Sequence, residues 1–194
     1  AYRVITYSKF GRDELQRLGM HSTYIPHTVD TNIYKPLDKK DIRKKIGVPE
    51  DMYLFGMVSA NKDNPPRKSF QEVMDAFKIF HDKHPNSGIY FHTLLAQSGG
   101  FPIQEYAKFL GYESSIFHLQ PYEQLFLADK EVMASIYNAM DCLLAPSTNE
   151  GFGVPIIEAQ SWGVPVITNN FTAMPELVKD GKTGYITDVS SKRF

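Results

Sequence analysis

The spacing of apolar side chains changes from one segment to the next, and each change predicts an element. Residues 2–7 read as a short strand, residues 9–18 as a helix closed by Gly19, and residues 22–25 as another short strand ending at Pro26. A polar stretch over 28–41, carrying Pro36, leads into a short charged helix that ends at Ile46, before Gly47 and Pro49. From Met52 onward strands and helices alternate, and the apolar runs are too continuous for half-solvated antiparallel strands. Strands are expected at 54–59, 89–96, 116–120, 141–145, 164–168 and 185–187. Between them, Phe70, Val73, Ala76, Phe77 and Phe80 share one helical face behind a capping-box pattern of Ser69 and Glu72. Pro102 suits the first turn of a helix, and residues 131–139 make another.

Strands alternating with helices of this length give an α/β fold: a Rossmann-like, doubly wound parallel sheet of about six strands with helices on both faces. The pattern divides the chain into an N-terminal α/β segment and crossover, residues 1–47, and a main domain, residues 48–194. It holds no repeats and no low-complexity segments. In open parallel sheets the binding crevice lies beyond the carboxyl ends of the strands, so chemistry is sought in the loops after Ser59, Ala96, Gln120 and Pro146.

Composition narrows what those loops bind. The 21 Lys and Arg side chains against 22 Asp and Glu leave a formal charge of −1, so no global basic field draws the chain to nucleic acid or anionic lipid. Any anion site must be local. No apolar stretch approaches the roughly 18 residues of a membrane span. A lone cysteine, Cys142, cannot make an intrachain disulfide, and no Cys/His cluster has zinc-ligand spacing, so a reducing, cytoplasmic setting is expected. Residues 1–10 lack both the apolar core of a signal peptide and a starting methionine, as expected of a chain cut from something longer.

The segment 147–158 is the richest in chemistry. Gly151 and Gly153 permit conformations that a Cβ forbids, and Pro155 suits the first helical turn, which leaves the amides of Phe152, Gly153 and Val154 to face a ligand. A helix N-terminus favours negative charge, so this turn can cradle a phosphate or sugar oxygens. Glu150 precedes the turn, and Glu158 lies about one turn inside the helix, leaning back toward its start. Carboxylates accept hydrogen bonds, and neighbouring hydroxyls of a sugar or ribose offer paired donors, so two acids around an anion cradle suit a nucleotide-sugar. The structural alternative is that Glu150 caps the helix, Glu158 complements its dipole, and the glycines make a tight turn.

Glu150 and Glu158 are separated by seven intervening residues within EGFGVPIIEAQSWGVPVIT, a run that resembles the signature of retaining glycosyltransferases of the GT-B fold, especially the family 4 group. The resemblance extends through Pro175-Glu176-Leu177-Val178, Asp180-Gly181 and Thr183-Gly184-Tyr185, and upstream to Asp141 and Pro146-Ser147. Residues 24–36 are similar to the crossover into the C-terminal domain of such enzymes. The resemblance implies the donor-binding half of a GT-B enzyme, with the acceptor half elsewhere. It implies that Glu150 binds donor-sugar hydroxyls and Glu158 the ribose, while Phe152, Gly153 and Val154 offer amides to the sugar and diphosphate. It also implies a UDP-, GDP- or ADP-sugar donor, a glycan, lipid or protein acceptor, and transfer with retention that needs no metal, consistent with the lack of an Asp-x-Asp motif. Peripheral membrane attachment would come through the other half.

The family usually supplies an Arg and a Lys five positions apart after the first strand, and this chain departs from that pattern. Asn61 stands where the arginine is expected, Lys68 is the candidate for the family lysine, and the adjacent Arg67 offers planar bidentate donors in place of the absent arginine. Lys62 is a further candidate cation, and a solvated basic loop is the alternative for all three. Ser59, Gly99 and Gly100 are expected to line the cleft. By the resemblance Gln120 and Tyr122 seat the nucleobase, although Tyr122 also suits a packed or surface aromatic. The loop 169–173 is expected to border the site, and Glu176 to cap its own helix. His27 stands at the crossover facing the cleft, Trp162 reads as core, and Cys142 as a small buried hydrophobe. Two rival readings remain, a nucleotide-sugar 2-epimerase and a noncatalytic nucleotide-sugar binding module. A dinucleotide oxidoreductase is disfavoured because no G-x-G-x-x-G follows the first main strand.

Overall fold

The computed structural model describes residues 3–33, 38–62, 67–95 and 99–189. Its first unit is a small parallel pair, β1 (Val4–Thr6) and β2 (Ser22–Tyr24), joined by α1 (Lys9–Arg17). Ser8 starts α1, its Oγ accepting the Gly11 N–H at 3.1 Å. Next, α2 (Lys39–Lys45) begins at Asp38, whose carboxylate accepts the Lys40 N–H at 2.9 Å.

The main sheet comprises β3 (Tyr53–Val58), β4 (Ser87–His92), β5 (Ile116–Phe117), β6 (Cys142–Ala145), β7 (Val166–Asn169) and β8 (Gly184–Thr187). All neighbours are parallel, in the order β5-β4-β3-β6-β7-β8. The connecting helices are α3 (Phe70–His81), α4 (Ile103–Leu110), α5 (Pro121–Phe126), α6 (Lys130–Ala139) and α7 (Val154–Ser161). Side chains alternate across the sheet with period two and so divide the core. Phe55, Met57, Ile89, Phe91 and Cys142 pack under α3 and α4, whereas Leu54, Tyr90, Leu143 and Val166 pack under α6 and α7. Fully burying each such side chain contributes about 1.5–3 kcal/mol, which makes the sheet core the main source of stability. Right-handed crossovers explain the segregation: the chain winds from β3 toward β5, then returns to β6 and winds the other way, which sends α3 and α4 to one face and α6 and α7 to the other.

Several local expectations change. Ser69 does not form the capping box with Glu72; it takes a left-handed conformation with φ of 57° and makes no side-chain bond to α3, because the chain must turn sharply there to leave the preceding loop. β5 has only two residues rather than the span 116–120, since Pro121 opens α5, a helix the sequence pattern missed. β4 ends at His92, and residue 96 of its expected span lies outside the described residues.

The helix α2, grouped by sequence with residues 1–47, packs against α6 and is part of the main core through Ile42. Its Arg43 is buried. Arg43 Nε donates to the Ala139 carbonyl at 3.0 Å, Nη1 to the carbonyls of Glu50 and Met52 at 2.9 and 2.7 Å, and Nη2 to Asp141 at 2.5 Å. Cys142 is buried on the other face of the sheet, under α3 and α4, and burial pushes its thiol up to about 12.

Candidate functional site

The strand order reverses between β3 and β6, and this switch point is where an open parallel sheet leaves a crevice. A cavity opens there at the carboxyl ends of the two strands. Val58 and Ser59 line it from β3, Lys68 from the loop before α3, Ala145, Ser147 and Glu150 from the end of β6, Gly153, Pro155 and Ile156 from the start of α7, and Met174 from the turn after β7. A larger cavity of about 340 Å³ lies between α3 and β6–β7, where Phe55, Val73, Phe77, Phe80, Leu144 and Ile167 make it apolar. Its lining contains no cation, so it does not fit an anionic ligand.

Three loops are stitched together around the switch point. The Arg67 carbonyl accepts the Thr148 N–H at 2.7 Å and the Thr148 hydroxyl at 3.2 Å, while Arg67 Nη1 donates to the Asn149 carbonyl at 3.2 Å. From the third loop, Thr172 Oγ1 accepts the Glu150 N–H at 3.1 Å, and Asn169 Nδ2 donates to the Ser147 carbonyl at 2.7 Å. Thr172 is left-handed, with φ of 50°, which marks this turn as held by its neighbours. Within the frame Lys68 Nζ donates to Glu150 Oε1, and Arg67 Nη1 stands 3.6 Å from the same oxygen.

At the foot of the cavity α7 begins. Gly153 supplies the N-cap at φ of 105°, a conformation natural to glycine, and Pro155 occupies the first turn. No side chain caps this end, so the alternative of Glu150 as helix cap does not form; its carboxylate turns to Lys68 instead. The first amides of a helix lack intrahelical acceptors and concentrate positive potential, and the opening of α7 lines the cavity. Phe152 turns its ring out of the loop, edge-on to His27 at 5.2 Å, and His27 stacks on Tyr7 at 4.2 Å. The crossover histidine therefore joins the N-terminal unit to this loop through an aromatic row.

The structure brings Glu150, Lys68, Arg67, Ser59 and Gly153 together. Glu158 lies one turn into α7, where its carboxylate accepts the Tyr137 hydroxyl at 2.6 Å. Lys62 is exposed outside the cavity lining. Gln120 and Tyr122 also lie outside it: the Gln120 N–H donates to Glu123 Oε2 at 3.0 Å, and Tyr122 is 65% exposed with its ring against Phe126. Gly99 is left-handed, and Gly100 packs so closely that a Cβ would meet the Asn61 carbonyl oxygen at 2.3 Å.

Asn61 itself is a buried staple, not a ligand group. Its Nδ2 donates to the Phe101 carbonyl at 2.8 Å and its Oδ1 accepts the Phe101 N–H at 2.7 Å, which ties the glycine turn to the end of β3. Glu176 does not cap its own helix. It sits in a short 3-10 turn, and its carboxylate accepts the N–H groups of Lys9 and Phe10 at 2.8 and 2.6 Å, so it caps α1 from a distance. Ser147, Pro155 and Ile156 fall within the segment 147–158 and Thr172 within the loop 169–173 that sequence reasoning assigned to the site, whereas Met174, just beyond that loop, was missed as lining. Among the described residues no three His, Cys, Asp or Glu side chains group around a possible metal position, and no helix is long and apolar enough to cross a membrane.

Residues 38–193 match the family described as Glycosyl transferases group 1. The chain belongs to this family. A relative, D-inositol 3-phosphate glycosyltransferase of Arthrobacter sp. (strain FB24), is 24% identical over 170 residues, covering 87% of this chain and 38% of that protein. The chain thus spans well under half the length of this relative. Among solved structures, Anabaena Alr3699/HepE in complex with UDP and glucose superposes with a TM-score of 0.78 at 22% identity, over 97% of this chain and 50% of that one. The C-terminal domain of the glycosyl transferase group 1 protein LpcC from Francisella tularensis gives 0.69 at 24% identity, over 85% of this chain and 82% of that domain. These likenesses establish the GT-B, Rossmann-like fold for the group 1 chain.

Proposed function

We propose that this chain is the donor-binding part of a glycosyltransferase that moves a sugar from a nucleoside-diphosphate sugar to an acceptor with retention of configuration. One observation carries the reading: a carboxylate, a cation and the start of a helix converge on a single cavity at the switch point of the sheet, with a second cation, Arg67, 3.6 Å from that carboxylate. That Anabaena HepE is solved with UDP and glucose supports a uridine donor as the first to test.

In this reading Glu150 accepts hydrogen bonds from sugar hydroxyls and Glu158 from the ribose. Lys68, Arg67 and the amides of Phe152, Gly153 and Val154 hold the diphosphate. The bond between the anomeric carbon and the phosphate oxygen breaks, and its electron pair leaves with the diphosphate. The acceptor hydroxyl bonds to the anomeric carbon on the same face and gives its proton to the departing phosphate. Fixed amides and cations stabilise the charge that grows on the leaving group, which is electrostatic preorganisation without a metal. The acceptor is positioned mainly by the remainder of a longer protein.

A thermal-shift panel of UDP-, GDP- and ADP-sugars tests the site. A donor at about one hundred times its Kd stabilises the fold by about 2.7 kcal/mol, and Lys68→Gln removes that shift. Failure of every nucleotide-sugar in the panel to raise the melting temperature refutes the proposal.

A further inference from the structure

The ion pair between Lys68 and Glu150 occupies the groups that the donor needs. The two side chains come from different loops, both line the cavity, and they are only 13% and 19% exposed. Each has lost most of its water and is held by the other. The backbone beneath them is fixed by the Thr148 to Arg67 and Glu150 to Thr172 hydrogen bonds, so a ligand need only draw the two side chains apart.

We propose that this pair is a placeholder that lets the site tell an intact nucleotide-sugar from the nucleoside diphosphate left after transfer. The inference rests on the donor-site reading above and adds a selectivity to it. A bare diphosphate draws Lys68 away and leaves Glu150 shielded from water, without its cation and beside a new anion. An intact donor does the same to Lys68 but brings sugar hydroxyls to the stranded carboxylate. Once the sugar has left, Glu150 loses those donors and competes again for Lys68, which weakens the hold on the spent diphosphate. Arg67, at 3.6 Å from the same carboxylate oxygen and more exposed than Lys68, compensates that charge only in part.

Calorimetric titration of the 194-residue chain with UDP and with UDP-glucose tests the idea. In Glu150→Gln the amide no longer competes for Lys68, and UDP affinity is expected to rise about fivefold or more while affinity for UDP-glucose does not rise, so the preference shifts toward the bare diphosphate. Glu150→Ala also removes the charge and repeats the gain for UDP, which provides a second reading if one variant folds poorly. Lys68→Gln weakens both ligands together. An unchanged or lower UDP affinity in both Glu150 variants overturns the placeholder while leaving the donor site standing. Absence of binding of either nucleotide to the unsubstituted chain overturns both.

Discussion

Replacing Asp141 with Asn probes the contact that joins α2 to the sheet. Its carboxylate receives Lys39 Nζ at 2.6 Å, Arg43 Nη2 at 2.5 Å and the Leu54 N–H at 2.7 Å. Asparagine keeps one acceptor but turns an amide NH₂ either toward Lys39 or toward Arg43 and the Leu54 N–H, and the Arg43 side chain is only 5% exposed. Breaking a buried pair from one side costs about 3–5 kcal/mol. Arg43 retains three carbonyl partners and the Asp141 side chain is 23% exposed, which lowers the expected loss to about 2–3 kcal/mol. For a chain of this size that corresponds to a fall of about 5–10 °C in Tm. Burial alone would push the Asp141 carboxyl up, but the bonds from Lys39, the Leu54 N–H and Arg43 outweigh it and hold the group below its ordinary 3.8. A carboxyl depressed on folding stabilises fully above its unfolded value and loses that contribution as pH falls through its folded one. The gap between the two proteins is therefore expected to be constant near neutrality and to close below about pH 4. Urea denaturation across a pH series measures it. A gap under about 0.5 kcal/mol at pH 7, or one that stays constant down to the acid limit of folding, refutes the reasoning.

Two further substitutions separate the site from the scaffold. Gly153→Ala forces a Cβ into a φ of 105° and within 3.1 Å of Ile156 Cδ1, so the first turn of α7 must tilt; UDP-glucose affinity by calorimetry is expected to fall about tenfold or more, and undiminished binding excludes the cradle. Glu176→Gln withdraws a negative charge from the first turn of α1, and amide exchange at Lys9 and Phe10 is expected to quicken about threefold or more; unchanged exchange shows that the carboxylate does not cap that helix.

The order of strands and helices was legible because a parallel sheet buried on both faces writes long apolar runs, and Phe70, Val73 and Phe77 keep helical spacing against it. The loop at 147–158 was legible because glycine and proline there answer local backbone demands. Contacts between distant residues were not. Glu176 reads locally as the cap of the helix it begins, yet its partners lie 166 and 167 residues away. Asn61 reads as a missing cation, yet its amide is spent on the turn around Gly100. Tyr122 follows a strand end as a base-binding aromatic would, but it lies within α5, where its ring packs against Phe126 one turn on. In each case a short polar or aromatic residue satisfies several local patterns equally, and only the tertiary partner decides among them.

The buried Asn61 and the left-handed Ser69 belong to one solution. With Asn61 committed to Phe101, the positive charge for the crevice has to come from farther along the loop, at Arg67 and Lys68. A regular approach into α3 would carry the capping box of Ser69 and Glu72, but the structure gives up that cap and accepts a left-handed serine, a strain of about 1–2 kcal/mol. In return Lys68 meets Glu150, and the Arg67 carbonyl takes both the N–H and the hydroxyl of Thr148. Strain at a non-glycine residue persists where surrounding contacts over-determine it, and here those contacts are the ones that bring a cation from the β3 side to the carboxylate on the β6 side. The sharp turn at Ser69 is thus the backbone cause of the charge pair in the crevice.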